Sequence, residues 1–136
     1  YCAEIEISID PNTPIVYENN LAYFTVTATN HGILSQADVV AAFSIEAGSN
    51  VFLVENMHNF GTIGPNSSVT YQLAVAIDKG AVTNDLGDSL TIKADYIEPT
   101  LPTPDGIYLD VVPQNNEESA TMLIKGVDLQ LIKYVN

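Results

Sequence analysis

Apolar and polar residues alternate along much of the chain with a period of two. The clearest example covers residues 3–9, AEIEISI, where Ile5, Ile7 and Ile9 alternate with acidic and hydroxyl side chains. This period places successive side chains on opposite faces of a β-strand. We therefore predict a half-buried first strand, which the proline-containing stretch 10–14 ends.

The same alternation recurs in segments that turn residues separate, such as Asn30-His31-Gly32 and Gly64-Pro65-Asn66-Ser67. In residues 69–77 we expect the odd-numbered positions to face inward. Only in residues 35–46 does a helix compete with a strand. Eight or nine short strands at regular spacing predict an all-β fold, a β-sandwich. The further predicted strands cover residues 21–30, 39–45, 51–54, 69–77, 90–96, 107–112 and 122–134.

The end of the chain repeats the pattern of its beginning, because residues 127–131, VDLQL, alternate as residues 3–7, AEIEI, do. Chance similarity between two alternating strands is one interpretation. Alternatively, residues 126–136 begin a second domain, or they leave their own sandwich and complete a neighbour's sheet. We therefore divide the chain into a sandwich, 1–125, and a C-terminal strand, 126–136. If strands are exchanged, the apolar side chains that fill the neighbour are Val127, Leu129 and Leu131, or alternatively Ile5 and Ile7.

The charge of the chain limits the classes of partner that we expect it to bind. Seventeen Asp and Glu residues stand against four Lys and no Arg, which gives a net charge of −13. A nucleic-acid partner requires Lys and Arg to neutralise phosphates, so we expect none. The negative charge also repels anionic lipid, and no apolar run is long enough to cross a bilayer, so we expect no membrane insertion.

Three motifs in order carry a family resemblance: TVTATNHG at residues 25–32, FGTIGPNSSVT at 60–70 and LTIKADY at 90–96. Together they resemble the immunoglobulin-like modules of archaeal surface-layer and related prokaryotic envelope proteins, the CARDB-like group. The resemblance covers roughly residues 3–113. It implies an immunoglobulin-like sandwich at the cell surface, outside the cell. The order Gly64-Pro65 and the long loop 78–88 depart from the family pattern.

Few features of the sequence indicate a catalytic site. The sequence contains no phosphate-binding glycine loop, no GxSxG and no HExxH motif. Of the two histidines, His31 lies in a predicted turn and His58 in a predicted polar loop. We therefore expect that the protein is not an enzyme.

Acidic residues in the loop 78–88 are candidates for a Ca²⁺ site. Asp78, Asp85 and Asp88, with the neighbouring Asn84, supply the hard oxygen ligands that Ca²⁺ prefers. The spacing of an EF-hand is absent, and a solvated acidic loop without metal is the alternative. We expect no other cofactor.

Two further positions are candidates for covalent modification. Asn66-Ser67-Ser68 is the single N-glycosylation sequon, and it lies in a predicted exposed turn. Cys2 is the only cysteine, so it has no partner for a disulfide within the chain. It is either a free thiol or part of a disulfide between two chains.

Two functional hypotheses follow from these observations. In the first, the chain is a structural subunit of an extracellular filament, sheath or surface layer. Copies of the chain would join by adding a terminal strand to a neighbour's sheet. In the second, the chain is a spacer or ligand-binding module of a larger secreted envelope protein or enzyme.

Overall fold

A computed structural model describes residues 4–83, 86–97 and 117–126, and these residues form an all-β structure of nine strands. The predicted fold class is therefore confirmed. Within these ranges no helix is long and apolar enough to cross a membrane. The strands are β1 Ile5–Pro11, β2 Ile15–Tyr17, β3 Asn20–Asn30, β4 Val40–Ala47, β5 Val51–Leu53, β6 Met57–Asn59, β7 Ser67–Ile77, β8 Asp88–Ile97 and β9 Glu117–Lys125.

The strands form two sheets, which pack as a sandwich. The four-stranded sheet has the order β1-β3-β7-β5, and the five-stranded sheet has the order β2-β9-β8-β4-β6. All neighbouring strands are antiparallel except β2 and β9, which are parallel. The chain thus enters the four-stranded sheet with β1 and changes to the five-stranded sheet with β2.

The core lies between the sheets and follows the period of two in the sequence. Ile5, Ile7 and Ile9 of β1 are buried, and their polar neighbours face outward. In β7 the odd-numbered positions face inward, as predicted, with Leu73 and Val75 fully buried. Burying one such side chain contributes about 1.5–3 kcal/mol to stability. The inward apolar residues of the alternating strands together therefore form the core.

A fully buried asparagine fixes the turn at the end of β3. Asn30 accepts hydrogen bonds through Oδ1 from the backbone N–H of Gly32, at 2.8 Å, and of Glu4, at 3.3 Å. Its Nδ2 donates to the carbonyl oxygens of Leu34, at 2.7 Å, and Ile63, at 3.0 Å. This one side chain therefore connects β1, the turn and the segment before β7, which explains the Asn in the TNHG motif.

Residues 40–47 form β4, so the predicted strand 39–45 is confirmed and the competing helix is excluded. The structure differs from the sequence predictions in two respects. Strands β2 and β6 were not predicted, because three residues are too few to show a period. Strand β9 begins at Glu117, five residues before the predicted strand 122–134, because its first residues pair with β8 before burial begins at Ala120. The predicted strand 107–112 lies outside the described residues.

Candidate functional site

The exposed sheet edges are the candidate functional site of this fold. Among the described residues, each sheet of the sandwich ends in two edge strands: β1 and β5 in the four-stranded sheet, β2 and β6 in the five-stranded sheet. The outer side of an edge strand presents unpaired backbone groups, which can pair with another chain. The edges differ in how far the protein covers them.

The edge at β1 is covered. The Glu118 carboxylate of β9 accepts a hydrogen bond from the backbone N–H of Ile9 at 3.0 Å, and Pro11 has no N–H to offer. Ile5 and Ile7, which are candidate residues for strand exchange, pair with β3 and are each 1% exposed in the core of their own chain. The exchange of this strand between chains stays a prediction.

The edge strands β2, β5 and β6 have only three residues each. Strand β5 therefore pairs with only residues 75–77 of β7, and the Val54 N–H continues the contact to the Ala74 carbonyl at 3.1 Å. On that side, residues 67–73 of β7 face no strand among the described residues. We call this stretch the open edge of β7.

An aromatic cluster lies beside the open edge and connects the two sheets. The rings of His58 in β6 and Tyr71 in β7 are stacked with centroids 3.8 Å apart. Phe60 contacts His58 edge-on at 4.8 Å, and Phe43 stacks on Tyr71 at 6.0 Å. His58, assigned to a polar loop from sequence alone, thus lies on a strand. No sequence signal identified this cluster, because its members come from separate segments.

The hydroxyl of Tyr71 donates a hydrogen bond to the carboxylate of Glu55. Burial, followed by this hydrogen bond and the negative charge of Glu55, raises the pKa of Tyr71 from 10.0 to about 12. The phenol is therefore a hydrogen-bond donor at neutral pH. Its role in the structure is to hold the Glu55 loop against β7.

The other histidine has a different environment. Nε2 of His31, in the turn after β3, lies 2.6 Å from Oε1 of Glu6 in β1, and both side chains are more than 40% exposed. The pair links the turn to the first strand at the protein surface.

The candidate Ca²⁺ ligands lie in and beside a hydrogen-bonded loop. Oδ2 of Asp88 accepts hydrogen bonds from the N–H and the hydroxyl of Thr83, at 2.9 and 3.1 Å. Asp85 lies outside the described residues. Among the residues described, no three His, Cys, Asp or Glu side chains form a group that could hold a metal ion. The Ca²⁺ site formed by Asp78, Asp85 and Asp88 stays a prediction.

Of the remaining candidate residues, the structure describes only Asn66. Asn66 is exposed in the turn before β7 and has a φ of 56°. Exposure is what glycosylation of this residue requires. The other candidate residues lie outside the described residues, namely Cys2, Val127, Leu129 and Leu131.

Comparison with known proteins identifies the fold. No family model matches the sequence, and no curated protein matches it significantly. The crystal structure of the CARDB domain of the PF1109 protein from Pyrococcus furiosus, in complex with di-metal ions, is similar with a TM-score of 0.57. The two sequences are 15% identical over 93% of this chain and 90% of that chain. The chain therefore has the immunoglobulin-like CARDB fold that its motifs indicate.

Two further solved structures are similar. The solution NMR structure of the same Pyrococcus furiosus domain gives a TM-score of 0.55 at 14% identity, over 91% of this chain and 96% of that chain. The Pseudomonas fluorescens alkylpurine DNA glycosylase AlkC, bound to DNA with an abasic site analog, gives 0.50 at 10% identity. That match covers 92% of this chain but 31% of the glycosylase, so the fold also occurs within a larger protein.

Proposed function

We propose that this chain is a non-catalytic structural subunit that assembles with copies of itself outside the cell, as a filament, sheath or surface layer. The joint is the C-terminal segment, residues 126–136, added as a strand to a neighbour's sheet. Glycan at Asn66 is an additional part of this proposal. Nucleic acid and membrane lipid are not among the proposed partners, because the net charge of −13 disfavours both.

One observation carries the proposal: residues 127–131 alternate between apolar and polar, and this alternation follows directly on β9, which ends at Lys125. Strand β8 pairs with β9 as far as Ile124, and β2 pairs with it as far as Lys125. The Glu18 N–H then donates to the Lys125 carbonyl at 3.0 Å. Beyond this point, Val127, Leu129 and Leu131 continue the apolar positions of a strand.

The state of the core supports the same proposal. In the residues described, no buried side-chain nitrogen or oxygen lacks a hydrogen-bond partner, and the core residues come from eight of the nine strands and from the segments beside them. This favours a sandwich whose core is complete without residues 127–136. Val127, Leu129 and Leu131 are then available to a neighbour, and burying each would contribute about 1.5–3 kcal/mol to assembly.

The CARDB fold and the envelope-module motifs favour a location outside the cell. The absence of Arg and the small number of Lys residues leave few sites for trypsin-like proteases, which suits an exposed coat.

The test compares two faces of the same segment. In the variant Leu129→Lys with Leu131→Lys, lysines replace the apolar residues, and in the control Asp128→Lys with Gln130→Lys they replace the polar ones. Negative-stain electron microscopy and light scattering over a range of concentrations measure assembly, and circular dichroism checks the fold. We expect regular polymers from the wild type and the control, and folded monomers from the Leu variant. Normal polymers from the Leu variant would contradict this joint.

The alternative function is a spacer or ligand-binding module of a larger secreted protein. The match to part of the DNA glycosylase favours it, because it shows the same fold inside a longer chain. In this case residues 126–136 begin the next domain. Uniform wild-type monomers at every concentration would support the module and reject the polymer.

A further inference from the structure

We propose that the C-terminal segment of one copy binds the open edge of β7, residues 67–73, in a second copy. This inference rests on the proposed function and specifies the acceptor, which the sequence does not identify. It follows from a comparison of the edges, the backbone groups they present and the position of Gly126.

The open edge of β7 carries no charge, proline or bulge of its own, and the neighbouring Glu55 carboxylate is bonded to the Tyr71 hydroxyl. Residues 67–73, SSVTYQL, contain no charged residue and no proline, and β7 pairs with β3 without a bulge. By contrast, β4 extends beyond β6 but has a bulge between Ile45 and Ala47, and it carries the Glu46 carboxylate there. Charges, prolines and bulges are the means by which proteins prevent edge pairing. Their absence makes the edge of β7 the suitable acceptor.

The backbone of β7 has a regular set of groups to offer. The Ala74 carbonyl accepts from Val54, so even-numbered residues direct their backbone groups to this side. Ser68, Thr70 and Gln72 follow with the same orientation beyond the end of β5. An added strand would continue the ladder that β5 begins.

The surface beside this edge is partly apolar. Val69 and Tyr71 pack against the core but are half-buried, and His58 stacks on Tyr71. Met57, on the adjacent β6, is 48% exposed. An added strand with apolar residues on one side would cover these side chains, and Leu129 and Leu131 provide that side.

The length of the segment fits the edge. Seven residues of β7 span about 23 Å at about 3.3 Å per residue, and the ten residues 127–136 span about 33 Å when extended. The segment can therefore pair with the whole open edge.

The acceptor belongs to another copy because of where the segment starts. Gly126 lies beside Glu18 and Val82, on the side of the sandwich formed by β2 and β9. The open edge of β7 lies on the opposite side, and in the five-stranded sheet β8, β4 and β6 follow β9 in that direction, about 14 Å in all. Crossing about 14 Å would use about four of the ten residues 127–136 and leave too few to pair with the seven residues of the open edge in the same chain.

Disulfide trapping tests the pairing on the full chain, with Cys2→Ser as background. Chains with Gln130→Cys are mixed with chains that carry Ser68→Cys, Thr70→Cys or Gln72→Cys. A disulfide requires Cα atoms about 4.4–6.8 Å apart, so one register selects one of the three positions. We expect Gln130→Cys to cross-link to the selected β7 position several-fold faster than to Thr27→Cys, which lies on the central strand β3.

A backbone variant provides an independent test. Thr70→Pro removes an N–H that faces the open edge, so it removes a bond to the added strand and none within the sheet. Thr70→Ala keeps the N–H and is the matched control. We expect Thr70→Pro to reduce assembly at least several-fold, with the control assembling normally.

The outcomes separate the two proposals. Polymers that cross-link to Ser44→Cys on β4, or to Thr27→Cys, faster than to every β7 position would overturn the acceptor but leave the polymer intact. Absence of polymers in the wild type would reject the proposed function, and this inference with it.

Discussion

Glu118 in β9 accepts a hydrogen bond from the backbone N–H of Ile9 in β1 at 3.0 Å, so a side chain of one sheet covers the edge of the other. An unpaired N–H on an edge strand is a site for association with another chain. The carboxylate thus satisfies one backbone N–H on this lateral side of the sandwich. On the opposite side, residues 67–73 of β7 face no strand among the described residues, and the Glu55 carboxylate there is bonded to the hydroxyl of Tyr71.

Replacing Glu118 should destabilise the sandwich. Glu118→Ala leaves the Ile9 N–H without its partner, and we expect the free energy of unfolding to fall by about 1–2 kcal/mol. Glu118→Gln retains an acceptor oxygen and should cost less. Urea denaturation followed by circular dichroism measures both. Glu117→Ala is the control, because Glu117 makes an exposed ion pair with Lys93 at 3.4 Å, which contributes little. An equal loss for Ala at both positions would contradict the role of Glu118.

The buried Asn30 is expected to be among the most sensitive positions. Asn30→Ala removes four hydrogen bonds and leaves buried backbone groups unpaired, each at about 1–3 kcal/mol, so we expect a loss of about 3 kcal/mol or more. Thermal unfolding measures it. Asn59→Ala is the matched control, since Asn59 bonds at the surface to Asp38 and Gly61. Similar melting temperatures for the two variants would reject the role assigned to Asn30.

The Tyr71–Glu55 hydrogen bond predicts a loss of stability at high pH. The pKa of Tyr71 is about 12 in the folded chain and 10.0 is its ordinary value, so the folded state retains the proton more strongly. The resulting stabilisation is complete below pH 10 and disappears as the pH rises from about 10 towards 12. Denaturation midpoints across this range measure it. Tyr71→Phe should lose this part of the pH dependence, whereas Tyr23→Phe, at an exposed tyrosine, should keep it.

Glycosylation at Asn66 is tested by replacing each of the two serines that follow it in turn. Glycan attachment requires Ser68 but not Ser67. In material secreted by a cell that carries out N-glycosylation, we expect intact-mass spectrometry to show a glycan on the wild type and on Ser67→Ala. The glycan should be absent from Ser68→Ala and Asn66→Gln. An unmodified wild-type chain would contradict the prediction.

The sequence predicted the long strands well because their alternation is a local signal. Residues 3–9, 21–30 and 69–77 contain enough repeats of the period to indicate both the strand and its inward face. The structure places residues 5–9, 21–30 and 69–77 in β1, β3 and β7. Strands β2 and β6 are held by their partners rather than by their own pattern, so three residues gave no signal.

The candidate site was predictable only in part. The alternation at residues 127–131 suggested a strand to be donated, but no local pattern could identify an acceptor. The aromatic cluster was missed because His58, Phe60 and Tyr71 become neighbours only when β6 and β7 close the same side of the sandwich.

The sequence by itself determined the all-β class, the inward faces of the long strands and the acidic surface, because these depend on neighbouring residues and on composition. Only the tertiary structure decided which edges are covered. That depends on contacts between residues far apart in the chain, such as Ile9 and Glu118, and on how far a short β5 extends along a long β7. Edge exposure is a property of strand order and length, and neither is encoded in the period of a single strand.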